Sequence, residues 1–165
     1  MTQTGLDVAR QLALLLDRQG AIDTVTRMVT SVDLRDWSAV RACLSENIAL
    51  DYSLLNGSPG TQMRADEVVE LWRKLLSGFQ ATQHSLTNFL VTLNGDEATV
   101  ECYFRAVHFL PNDQGDSTWT LGGQYRYTLQ RGADGWVITG SVGIKAWATG
   151  NQNLFALAGQ RVPAS

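Results

Sequence analysis

Apolar and polar positions change their rhythm once along this chain, near residue 80. Before that point apolar residues recur at helical spacing. Leu6, Ala9, Leu12, Ala13 and Leu16 form one stripe, which Gly20 is expected to end, and Ile22, Val25, Met28, Val29 and Val32 form a second. Asp36 stands where an N-cap would start a third helix, Trp37 to Leu44. Residues 48–55 read as a short strand and 56–61 as a loop. A helix over about 65–78 places Val68, Leu71, Trp72, Leu75, Leu76 and Phe79 on one face, with Glu70 and Lys74 as a surface pair.

From His84 onward the period falls to two. Strands are predicted at 84–93, 97–110, 117–131 and 136–148, with hairpin turns at Asn94-Gly95-Asp96 and Gly132–Gly135. Residues 111–116 form a polar loop, and Leu154–Ala158 a short closing helix. Ala98, Val100, Cys102, Phe104, Ala106 and His108 alternate strictly and should share one buried face. In 117–131 the odd-numbered set, including Trp119, Tyr125 and Tyr127, is assigned inward, leaving Gln124 and Arg126 outside. A one-residue slip would exchange the sets. Helices followed by a meander of long strands predict an α+β fold, a curved antiparallel sheet wrapped around N-terminal helices with a pocket on its concave face.

The length of 165 residues fits one domain spanning 1–165, and a net charge of −3 gives no footprint for nucleic acid or an anionic membrane. The first twenty residues lack the basic lead of a signal peptide. Their apolar run is interrupted by Asp7, Arg10 and Gln11, so a membrane span is not expected and a cytoplasmic location is. Cys43 and Cys102, the only cysteines, read as small buried hydrophobes. No metal site is expected. Trp119, Tyr127 and Trp147 are more aromatic surface than one small core readily absorbs, which points to a homo-oligomer.

Within this frame the candidate chemistry is sparse. His84 and His108 are the only histidines, and both fall where a side chain should point inward. Such a ring must find a partner or lose solvation worth roughly 1–3 kcal/mol. An imidazole is also the side chain best matched to proton transfer near neutrality. Asp33 continues the Val25–Val29 stripe, where burial and the helix C-terminus both disfavour a carboxylate. Either an imidazolium compensates it, or the helix ends early and Asp33 pairs with Arg35 on the surface. For each histidine the alternative is a core ring bonded to a backbone carbonyl. Tyr52 can present its hydroxyl to a ligand carbonyl or simply pack. Phe104 and Tyr125 are candidate substrate contacts.

Four stretches resemble the scytalone dehydratase branch of the SnoaL-like, NTF2-like superfamily: Val32-Asp-Leu-Arg-Asp-Trp37, Leu50-Asp-Tyr52, Thr82-Gln-His84 and Val107-His108. Asp134-Gly-Trp136 matches a common hairpin of that superfamily. The resemblance implies an NTF2-like cone-shaped barrel, no cofactor, an Asp33–His84 dyad with His108 and Tyr52 beside it, and a homo-oligomer, a trimer more than a dimer. It departs at Val32, where that branch has a second tyrosine, and near Gly123–Arg126, which lacks the expected serine and asparagine. The function implied is a cofactor-independent lyase. It would be a dehydratase of a small cyclic or aromatic β-hydroxy ketone, a hydrophobic carbonyl compound. A ketosteroid-isomerase-like or polyketide-cyclase-like enzyme, or a non-catalytic binding module, are the alternatives.

Overall fold

The computed structural model describes residues 3–161, with side chains from Asp7 onward, so the side chain of Leu6 lies outside the described residues. The elements are α1 (Gln3–Leu34), α2 (Trp37–Ala42), β1 (Leu44–Tyr52), α3 (Ser53–Asn56), β2 (Ser58–Arg64) and α4 (Ala65–Leu76). They are followed by β3 (Ala81–Asn94), β4 (Glu97–Phe109), β5 (Thr118–Gly132), β6 (Gly135–Gly150) and α5 (Leu154–Gly159). The six strands form one open, curved sheet in the order β2-β1-β6-β5-β4-β3. Every neighbour pair is antiparallel except β1–β6, which is parallel, so the curved sheet is antiparallel as expected but for this one pair. Among the described residues no helix is long and apolar enough to cross a membrane.

The predicted stripes account for most of the core. Val25, Met28, Val29 and Val32 of α1 are buried, as are Val68, Trp72 and Leu76 of α4. Each such side chain contributes about 1.5–3 kcal/mol when fully removed from water. The β4 stripe is buried from Ala98 to His108, and the inward set of β5 faces it in register, Cys102 opposite Tyr125 and His108 opposite Trp119. Gln124 and Arg126 are exposed. Asp36 caps α2 by accepting from the Ala39 amide at 3.0 Å.

Several expectations are overturned. Gly20 does not end the first helix; α1 runs through it, because a hydrogen at that position lets the Trp136 indole pack against the helix. A Cβ there would lie 3.3 Å from Trp136 Cδ1. Helix α2 stops at Ala42 rather than Leu44, and β1 gives way to α3 at Ser53. Residues assigned to a loop form β2, a solvent-exposed edge strand in which Pro59 is tolerated. The first apolar stripe is not core: Leu12 is 54% exposed and Leu16 64%. Trp119 and Tyr127 are absorbed by the core, and of the three aromatic residues only Trp147 is exposed.

Candidate active site

Asp33 sits in the last turn of α1, and the way that helix ends decides where its carboxylate points. Arg35 adopts the left-handed conformation, φ 61°. The Arg35 amide donates to Val32 O at 3.2 Å and the Asp36 amide to Ser31 O at 2.9 Å. This is a Schellman termination, built here on arginine where glycine is usual. The helix therefore does not end early, and Asp33 stays on the same face as Val25 and Val29.

The carboxylate faces β3. The His84 ring Nδ1 lies 2.7 Å from Asp33 Oδ1, the His84 backbone N–H donates to Oδ2 at 2.7 Å, and the Thr82 hydroxyl donates to Oδ1 at 2.9 Å. Burial is the largest single influence on the Asp33 carboxyl and pushes its pKa up. The hydrogen bonds and charge from His84 and the Thr82 hydroxyl together outweigh it, so the carboxyl is held below its ordinary value. Arg35 does not pair with Asp33 directly. It donates to the Thr82 hydroxyl at 3.0 Å and to the carbonyls of Leu76 and Val32 at 2.8 and 3.1 Å, fixing Thr82 in turn.

An ionised carboxylate only accepts, so the 2.7 Å contact places the His84 proton on Nδ1 and leaves Nε2 as an acceptor. His84 lines a cavity of about 450 Å³ between the concave face of the sheet, α1, α4 and α5, while Asp33 stands behind it. That volume lies in the range of small-molecule sites. His108 lines the same cavity, its ring centroid 5.9 Å from that of His84 and edge-on to it. Its Nδ1 donates to Trp119 O at 3.3 Å, so its Nε2 is also an acceptor. Burial first, then the neighbouring His84 charge, push His108 down to about 4, against the pull of the Trp119 carbonyl and Asp33.

Tyr52 reaches the cavity from the end of β1, its hydroxyl 3.3 Å from Ser141 Oγ, and burial raises its pKa to about 12. It is therefore a neutral donor near pH 7. Phe104 and Tyr125 stack on each other in the wall, centroids 4.1 Å apart. Burial likewise raises the Tyr125 phenol, helped by Tyr52 and Cys102. Gly143 lies under both tyrosines; a Cβ there would come within 3.1 Å of Tyr52 and 3.3 Å of Tyr125. The structure thus brings Asp33, His84, His108, Tyr52, Phe104 and Tyr125 to one place. It adds Thr82, Arg35 and Ser141, which hold those groups, and Asn56 and Lys145, which line the cavity. Thr82 carried a signal, since it shares the inward parity of His84, and Arg35 was legible only as a surface partner of Asp33; Ser141, Asn56 and Lys145 carried none. Among the described residues no cluster of three or more His, Cys, Asp or Glu could hold a metal ion.

A carboxylate-bound imidazole at the wall of an apolar cavity is an arrangement that can move a proton on a small apolar ligand. The sequence matches the SnoaL-like domain over residues 13–141, and the chain belongs to that family. No curated protein sequence is a significant match. The Kfla4162 protein of Kribbella flavida superposes with a TM-score of 0.80 at 25% identity, covering 88% of this chain and 98% of that one. A proposed scytalone dehydratase from Novosphingobium aromaticivorans gives 0.71 at 17% identity, over 84% and 89% of the two chains. A proposed dehydratase of the NTF2-like family from Streptomyces avermitilis gives 0.69 at 15%, over 80% and 98%. The cone-like α+β fold is that of the NTF2-like proteins.

Proposed function

We propose that the chain is a cofactor-independent lyase, a dehydratase of a small cyclic or aromatic β-hydroxy ketone. One observation carries this reading: the Asp33 carboxylate grips both the ring and the backbone of His84, with the other ring nitrogen left without a partner among the described residues at the wall of a largely apolar cavity. The fold likeness to two proposed dehydratases agrees with it.

His84 Nε2 takes the proton α to the substrate carbonyl, and Asp33 stabilises the imidazolium that forms. Charge develops on the carbonyl oxygen, which accepts a hydrogen bond from the Tyr52 hydroxyl. As the enolate reforms its carbonyl, the β carbon–oxygen bond breaks. The departing hydroxyl takes the proton from His84 Nε2 and leaves as water, yielding the α,β-unsaturated ketone and restoring neutral His84. His108 has its one ring proton committed to Trp119 O and stays neutral, so it has no proton to give. Its Nε2 suits it to accept from the substrate hydroxyl and position it. Phe104 and Tyr125 provide the flat apolar surface against which a ring lies.

The test is incubation of the protein with a panel of cyclic β-hydroxy ketones, read by mass spectrometry. Loss of one water is the predicted outcome. Conversion without change of mass would make the enzyme an isomerase, and no conversion of any member would remove the lyase reading.

A further inference from the structure

One side chain in the cavity wall carries a charge that the proton chemistry does not use. Lys145 lies opposite Gly123, and the first of two irregularities in β6 puts it there. The pairing skips Thr139 between Ile138–Leu129 and Gly140–Thr128, and skips Ala146 between Lys145–Gly123 and Trp147–Gly122. The first bulge turns Ser141, Gly143 and Lys145 onto the concave face; the second returns Trp147 to the outer one. Gly123 has no side chain to fill the space opposite Lys145.

Among the described residues no carboxylate pairs with Lys145. No Asp or Glu lines the cavity either, although the whole chain is acidic. Asn56 joins the same wall from α3, which packs on β6. Its Oδ1 already accepts the Ser58 amide at 3.0 Å, so its Nδ2 hydrogens are the part left for a ligand. A cation and an amide donor on one side of an apolar cavity are suited to an anionic oxygen.

We infer that Lys145, supported by Asn56, anchors a carboxylate on the substrate and so selects a carboxylated ring ketone. This rests on the lyase reading of the same cavity. Lys145 is in register with Leu86, three strands from β3 and two residues along it from His84. The carboxylate therefore belongs on the edge of the ring system remote from the reacting carbons, which favours a scaffold of two fused rings.

The experiment measures binding of a hydroxynaphthoate, its carboxylate on the ring remote from its hydroxyl, and of the methyl ester of that compound. Quenching of Trp72 and Trp119, which line the cavity, reports binding. Wild-type protein is expected to bind the acid about tenfold tighter than the ester, as one charge-assisted contact would give. Lys145→Met should erase the preference and Lys145→Arg should restore it. Added salt should shrink it. Equal binding of acid and ester by the wild type, or a preference that survives Lys145→Met, would overturn the inference. If the preference behaves as expected but the wild type does not dehydrate the carboxylated β-hydroxy tetralone, the lyase reading falls and the anion site stands.

Discussion

Asp33 holds His84 at two points, its Oδ1 2.7 Å from the ring Nδ1 and its Oδ2 2.7 Å from the backbone nitrogen. The second contact ties the ring to the strand, so the imidazole is oriented by β3 as well as by the carboxylate. Asp33→Asn keeps the shape but removes the charge and offers an amide that can donate to Nδ1, favouring the wrong tautomer. Turnover should fall roughly 10²–10⁴-fold while circular dichroism stays native. His84→Ala should cost a similar factor. The double variant should be little worse than either, because the two act as a unit; full additivity in the kinetics would show that they do not.

Tyr52→Phe removes one hydroxyl whose only partner among the described residues is Ser141, at 3.3 Å. If that hydroxyl supports the developing enolate, kcat should drop about 10²-fold with stability nearly unchanged. A change confined to KM would instead mean that Tyr52 contributes uniform binding.

His108 makes an acid-stability prediction. Its pKa falls from 6.5 to about 4 on folding, so the folded state binds fewer protons than the unfolded chain between those values. The stability linked to it is present above pH 6.5 and is lost as pH falls toward 4, about 3 kcal/mol in all. Asp33, whose carboxyl is also lowered, adds a further loss at lower pH. Urea unfolding across this window should show the slope, and His108→Gln should flatten it between pH 6.5 and 4. An unchanged slope in that variant would place the acid sensitivity elsewhere.

Self-association remains expected, on a different surface from the core aromatics. Val8, Leu12, Leu14, Leu15 and Leu16 are all at least half exposed on α1, and Arg10 is the only charged residue between positions 8 and 16. Such a patch on an acidic protein fits a second copy of the same helix. Sedimentation should find a species larger than the 18.1 kDa chain, and Leu12→Glu with Leu16→Glu should dissociate it.

The sequence made the long strands and the second helical stripe legible because their buried faces keep a strict period. It also brought Asp33 forward as a carboxylate on a buried face, although only the fold could choose between His84 and Arg35 as its partner. What escaped had physical reasons. β2 is an exposed edge strand with no apolar alternation to mark it. Gly20 breaks an isolated helix, but here a tryptophan packs against its bare face. Lys145 has outward parity when counted from Trp136 and Ile138, until the bulge at Thr139 shifts the alternation by one residue, and the sequence does not mark which residue the pairing skips. Leu12 and Leu16 have helical spacing, which predicts a helix but does not say what covers it.

His84, held by Asp33, is expected to remove a proton next to a carbonyl. Exchange of the α protons of α-tetralone in deuterated water, followed by proton NMR, isolates that step, because this ketone has no leaving group. Wild-type protein is predicted to accelerate the exchange, Asp33→Asn to slow it markedly and His84→Ala to return it to the background rate. Exchange at the background rate with the wild type, or undiminished exchange with His84→Ala, would show that His84 is not the base.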